Sequence, residues 1–220
     1  MRRLLIESFY WLTTWFTRGV LRTLARWRVD DRSGGLPSRG FVIVANHLSL
    51  IDPPLLSASF PRRIYFMAKR ELFRSLMAPL VIGTAAIPVN RGSADIGAIR
   101  RAEALLRGGG VLGMFPEGTR SPSGQMQAGH SGTALLAVRA GVPVVPVAIT
   151  GSNTWTGLLR LRRPTITVII GRPVVLHRSA RGARVEVAAL SDDLMRRVAA
   201  MLPASHRGVY AEAVARQEVL

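Results

Sequence analysis

The chain alternates short apolar runs with segments whose apolar residues recur every three or four positions. Phe41-Val42-Ile43-Val44-Ala45 is an unbroken apolar run rich in β-branched residues, which predicts a buried strand. The run stops at Asn46-His47, and Asp52-Pro53 follows. An acidic residue satisfies free N–H groups at a helix start, and proline loses nothing at the first helical position, so a helix is predicted from Asp52. Further strands are predicted over 64–68, 85–91, 111–115, 142–149 and 164–171, with Pro88 marking an edge or a bulge. Helices are predicted over 70–80, 93–107, 131–140 and 186–202, two of them stopped by Gly108-Gly109-Gly110 and Gly141. Strands alternating with helices predict an α/β fold, with a mostly parallel sheet of about six or seven strands flanked by helices.

The first thirty residues follow a different pattern. Leu5, Phe9, Leu12, Phe16, Val20, Leu24 and Trp27 recur at helical spacing, with Arg2, Arg3, Arg18, Arg22, Arg26 and Arg28 interspersed. The uncharged part between Glu7 and Arg18 falls far short of the ~20 residues a spanning helix needs. No small-residue cleavage site follows it, so a signal peptide is not expected. Aromatic residues beside arginines on an amphipathic helix, or on two helices broken near Gly19, predict a segment lying in a membrane interface. The expected division is therefore an amphipathic segment at 1–32, a link at Ser33-Gly34-Gly35-Leu36-Pro37, and one domain at 33–220. The uncharged run 140–159 has the length of a membrane span, but its prolines and the string Thr150-Gly151-Ser152-Asn153-Thr154 favour a buried strand and a loop.

Composition narrows the chemistry. With no cysteine, a disulfide framework, a thiol nucleophile and a thiolate metal site are all excluded. The formal net charge of +17 favours anionic partners. The only lysine is Lys69, however, so the arginine excess reads as codon bias more than as a nucleic-acid footprint. The aromatic residues sit in the first apolar stripe or within strands instead of on a basic face, so no nucleic-acid partner is expected.

Candidate chemistry collects at predicted strand ends. Gly108, Gly110 and Gly113 formally fit a dinucleotide-loop spacing, but they leave a helix and enter a strand, the reverse of what such a loop requires. The histidines His47, His130, His177 and His206 have no metal-ligand spacing, and no serine lies in a nucleophile elbow. His130 lies in Gly129-His130-Ser131-Gly132-Thr133, where Ser131 or Thr133 suits a helix cap, and it reads as structural. His47 and Asp52 would lie about 140° apart on a regular helix, so they meet only if a turn separates them. A carboxylate that reaches a histidine ring fixes its tautomer and raises its basicity. Glu117-Gly118-Thr119-Arg120 follows another strand directly. There Gly118 permits a tight turn with exposed N–H groups, and Arg120 offers a donor fork suited to phosphate. Arg91 and Lys69, also at strand ends, are further phosphate donors.

With these residues in view, the chain resembles the 1-acylglycerol-3-phosphate acyltransferases. Asn46-His47-Leu48-Ser49-Leu50-Ile51-Asp52 matches the family's N-H-x-S-x-x-D block. Ile87-Pro88-Val89-Asn90-Arg91, Phe115-Pro116-Glu117-Gly118-Thr119-Arg120-Ser121 and Val142-Pro143-Val144-Val145-Pro146-Val147 are similar to the three later blocks, in order, over about residues 40 to 150. Two departures stand out: Ala85 replaces a usual glycine, and Gln127 stands where many members carry a basic residue.

The resemblance implies transfer of a fatty acyl group from acyl-CoA or acyl carrier protein to the sn-2 hydroxyl of lysophosphatidic acid, with glycerol 3-phosphate, another lysophospholipid or a glycolipid as alternative acceptors. It makes His47 the general base and Asp52 its partner. Asn46 and Ser49 have supporting roles, with Ser49 a local hydrogen-bonding residue. The resemblance places Glu117, Gly118, Thr119, Arg120, Arg91 and Lys69 around the glycerol-phosphate head, and draws the oxyanion donors from the backbone N–H groups around Gly118 without fixing which. A thioester is already activated, so no metal or cofactor is expected. An anionic phospholipid membrane is the expected partner surface, at the cytoplasmic face, with peripheral or monotopic attachment.

Overall fold

All five residues of β2 (Phe41–Ala45) are buried, because both faces of the sheet are covered. Side chains alternate between the two covers. Val42 and Val44 join one apolar cluster, and Phe41, Ile43 and Ala45 join the other. A computed structural model describes residues 2–76, 78–90, 95–156, 162–176 and 184–218. His177 and Arg91 lie outside the described residues.

After β2 the chain forms α2 (Asp52–Ser59), β3 (Ile64–Lys69), a 3-10 turn (Arg70–Arg74), α3 (Ala78–Gly83) and β4 (Ile87–Val89). It continues through α4 (Ile96–Arg107), β5 (Val111–Met114), α5 (Gly132–Ala140), β6 (Val144–Thr150) and β7 (Thr165–Ile170). Two further helices, α6 (Arg184–Ala200) and α7 (Ala211–Glu218), end the described chain. Ahead of β2 lie α1 (Arg2–Leu24) and β1 (Arg26–Asp31).

The seven strands form one sheet in the order β1-β7-β6-β2-β5-β3-β4, and only the β6–β7 pair is antiparallel. The predicted α/β class and mostly parallel sheet hold. From the central neighbours β2 and β5 the chain leaves toward opposite faces. Leu55, Leu56 and Ala58 of α2 enter one cluster, and Ala134, Leu136 and Ala137 of α5 enter the other. Such a divergence opens a crevice at the carboxyl edge of a parallel sheet.

Several local expectations change. The helix predicted to carry Trp27 ends at Leu24 without a break at Gly19, and residues 26–31 pair in register with β7 as an edge strand. The expected division after residue 32 therefore does not separate the first segment from the sheet. The single helix predicted over 70–80 is a 3-10 turn followed by α3. Ala85 adopts φ +51, the left-handed conformation that glycine takes at no steric cost.

The apolar stripe of α1 faces outward. Leu12, Trp15 and Phe16 are 66%, 60% and 72% exposed, while Tyr10, Thr14, Leu21 and Ala25 are buried beneath them. Arg18 fixes the helix to the end of α2 by donating to the carbonyls of Ala58 and Phe60. Among the described residues, no helix is long and apolar enough to cross a membrane.

Candidate active site

The turn between β2 and α2 is built around one carboxylate. Oδ2 of Asp52 accepts from the backbone N–H of Leu48 and of Ser49, both at 2.7 Å, and lies 2.8 Å from Nδ1 of His47. Asp52 was expected to cap α2. Instead its side chain turns back into the preceding turn, and the helix has no side-chain cap. The reason is geometric: two N–H groups already converge on the turn, and an ionised carboxylate satisfies them together with the ring. A carboxylate oxygen that already accepts two N–H bonds makes Nδ1 the protonated ring nitrogen, which leaves Nε2 its lone pair. Asp52 is fully buried, whereas the His47 ring is partly exposed and lines a cleft of ≈ 640 Å³. The Oγ of Ser49 accepts weakly from the N–H of Ile51 at 3.4 Å, a local bond within the turn. Asn46 anchors the other end, donating to the Ile149 carbonyl and accepting from the Ile149 N–H on β6.

The loop after β5 holds His47 from the opposite side. Phe115 stacks on its imidazole with centroids 4.2 Å apart. The His47 N–H donates to Oε1 of Glu117 at 2.8 Å, and the His47 carbonyl accepts from the Ser121 N–H at 2.8 Å. The second oxygen of Glu117 accepts from the Gln127 N–H at 3.0 Å. Both oxygens of this buried carboxylate are thus bound to backbone, and Glu117 does not line the cleft. The sequence reading puts Glu117 at a head group; in the structure its carboxylate instead turns inward and fixes the backbone of His47 and Gln127. Burial pushes the Glu117 carboxyl above its ordinary value, against the lowering effect of the two N–H donors.

Gly118 sits at φ +69, as its turn requires, and its N–H donates to the Phe115 carbonyl. That N–H is therefore engaged within the turn. Gly118, Thr119, Arg120 and Lys69 all line the cleft with His47, and none of the described lining residues is acidic. The remaining wall is largely apolar, with Leu50, Phe66, Met67, Leu72, Val81 and Val89 prominent. Phe66 reaches this wall because β5 carries Gly113: a Cβ there would lie 2.4 Å from the Phe66 ring.

Sequence reasoning missed Phe115 as the platform under the His47 ring, although it opens a recognised block. It also missed His130, whose place in the cleft depends on how α5 meets the loop after β5. Gln127 contributes a backbone N–H and does not line the cleft.

The site thus brings together a histidine–carboxylate pair, Arg120, Lys69 and an apolar trough at the sheet's carboxyl edge. The sequence model of the Acyltransferase family matches residues 28–150, the stretch that carries every part of this site. The chain is an acyltransferase of the 1-acyl-sn-glycerol-3-phosphate acyltransferase family. It is 29% identical over 188 residues to the 1-acyl-sn-glycerol-3-phosphate acyltransferase of Pseudomonas aeruginosa, covering 83% of this chain and 70% of that one. It is 38% identical over 120 residues to the lyso-ornithine lipid O-acyltransferase of the same organism, covering 53% of this chain and 45% of that one. Its fold is similar to the crystal structure of the 1-acyl-sn-glycerophosphate acyltransferase of Thermotoga maritima. The TM-score is 0.66 at 24% identity, over 91% of this chain and 83% of the other.

Proposed function

We propose that this chain moves a fatty acyl group from acyl-CoA or acyl carrier protein to the sn-2 hydroxyl of 1-acylglycerol 3-phosphate. The observation that carries the reading is the 2.8 Å bond between His47 Nδ1 and Asp52 Oδ2, on a ring that opens into a cleft with Arg120 and Lys69. Nε2 of His47 takes the hydroxyl proton as that oxygen attacks the thioester carbonyl. Asp52 holds the ring and stabilises the imidazolium. The tetrahedral intermediate then collapses, the carbon–sulfur bond breaks, and the departing thiolate receives the proton from His47. General-base catalysis of this kind is commonly worth about 10²–10⁴-fold. The apolar wall takes acyl chain, and Arg120 and Lys69, together with Arg91, serve the phosphate.

The outward stripe of α1 supports attachment to an anionic membrane surface, peripheral or monotopic and on the cytoplasmic side, where both lipid and thioester are within reach. No metal or cofactor enters this scheme.

The test is a panel of lyso-acceptors with labelled acyl-CoA or acyl carrier protein, resolved by thin-layer chromatography, for the wild type and His47→Ala. The expected product is phosphatidic acid, absent with His47→Ala although the protein stays folded. Near-normal turnover by that variant refutes the assignment. The stronger local identity to a lyso-ornithine lipid acyltransferase favours a second reading, in which the acceptor is a lysolipid without phosphate. The same panel decides between the two.

A further inference from the structure

We infer that His130 is a head-group residue of the acceptor site, its imidazole acting with the Thr133 hydroxyl and the Arg120 guanidinium to bind the phosphate monoester of the acyl acceptor. This rests on the reading above that a phosphorylated acceptor enters the cleft.

The backbone of His130 is fixed on both sides. Its N–H donates to the Pro116 carbonyl at 2.8 Å, and its carbonyl accepts from Oγ of Ser191 at 3.1 Å. Its side chain is exposed, lines the cleft, and has no hydrogen-bond partner among the described residues. The ring lies against the turn after β5: a Cβ built on Gly118 would sit 3.2 Å from Cδ2 and 3.4 Å from Nε2. Gly118 thus makes room for the imidazole as well as for its own turn.

Thr133, in the first turn of α5, also lines the cleft. It is 2% exposed, and its hydroxyl has no partner among the described residues, so that hydroxyl is left for a ligand oxygen. Gly132 beside it lines the cleft too, so the amino end of α5 points there with its unpaired N–H groups and positive dipole end. His130, Thr133, the start of α5 and Arg120 all line one cleft whose described lining holds no carboxylate. That is a site for an anion.

The chemistry of the two substrates decides which anion. The acceptor's phosphate lies two carbons from the hydroxyl that His47 deprotonates, whereas the phosphates of CoA lie at the far end of the pantetheine arm from the thioester. His130 rests on the same loop whose Phe115 stacks on His47, so the nearer phosphate fits.

The experiment uses the full chain with 1-acylglycerol 3-phosphate and acyl-CoA, each varied in turn, and the variants His130→Ala, His130→Lys and Thr133→Val. His130→Ala is expected to raise KM for the acceptor about tenfold while leaving kcat and KM for acyl-CoA within about twofold. His130→Lys restores acceptor KM, Thr133→Val raises it several-fold, and inorganic phosphate competes with the acceptor less well in His130→Ala than in wild type. Thermal midpoints of the His130 variants stay at the wild-type value. An unchanged acceptor KM in His130→Ala overturns the inference. A rise confined to KM for acyl-CoA does the same by assigning the site to the donor, and so does a lowered midpoint that His130→Lys fails to restore. If wild type acylates only acceptors without phosphate, the underlying reading falls and takes this inference with it. If it uses the phosphorylated acceptor and His130→Ala binds normally, only this inference falls.

Discussion

Asp52→Asn tests the base more sharply than removal of the base itself. In the wild type, Oδ2 accepts from the Leu48 and Ser49 N–H groups and from the ring, while the other oxygen is buried with no partner among the described residues. An asparagine must place its carbonyl oxygen where Oδ2 was, because its NH2 cannot face two backbone donors. The ring therefore keeps its tautomer, with Nε2 free to accept a proton. What is lost is the charge that stabilises the imidazolium. Hydrogen bonds to charged groups are worth about 1.5–3 kcal/mol against about 1 for neutral ones, and the vanished ion-pair attraction adds to that difference. The sum is about 2–3 kcal/mol, or roughly 30- to 150-fold in kcat. By contrast, the same substitution costs about 10⁴-fold in a serine-protease triad, where the tautomer is wrong. Release of the CoA thiol measured with an aromatic disulfide reagent is a clean assay, since the protein has no cysteine to react. Acceptor KM is expected to stay constant. A kcat within twofold of wild type, or a loss near 10⁴-fold, refutes the reasoning: the first shows that the carboxylate does not act through the ring, the second that the backbone does not hold the tautomer.

Three further outcomes are expected. Burial raises the Glu117 carboxyl above 4.5, so the folded chain takes up a proton in the window just above that value. Its contribution to stability is fully present below 4.5 and is lost as pH rises through the folded value; the thermal midpoint of wild type relative to Glu117→Gln should therefore climb as pH falls from neutrality, and a constant difference contradicts this. Ala85→Gly relieves a left-handed residue and should stabilise the chain by about 0.5–1 kcal/mol in urea unfolding, with a lowered midpoint as the contrary result. Leu12→Ser with Phe16→Ser removes two outward apolar anchors; stability should move by less than about 1 kcal/mol, whereas sedimentation with anionic vesicles should fall more than about tenfold, and unchanged sedimentation places the membrane contact elsewhere.

The parts of the site legible in the sequence were those fixed by short-range geometry. β2 announces itself as an apolar run, and the five-residue step from His47 to Asp52 demands a turn, which the structure supplies. β1 was hidden because an edge strand buries little: the polar-apolar alternation of Arg-Trp-Arg-Val-Asp is short, and its arginines and Trp27 continue the helical pattern of α1. The side-chain directions of Glu117 and His130 were also hidden. Glu117 follows a strand end just as Arg120 does, but only the contact between two loops decides that the Glu117 carboxylate turns inward to the His47 N–H while Arg120 lines the cleft. His130 reads as structural beside a Ser131 or Thr133 cap, and only the packing of its ring against the turn at Gly118 brings it into the cleft.

The pairing of β1 with β7 also bears on how the chain is made. Residues 26–31 leave the ribosome ahead of the central strands, yet their partners at 165–170 are translated only after those strands. At about 5–20 residues per second, the first strand waits for several seconds or more. Through that interval α1, with its outward Leu12, Trp15 and Phe16, leads a strand that is not yet paired. A bilayer near the exit tunnel can receive the helix before the sheet closes, so the order of synthesis lets attachment precede the completion of the fold.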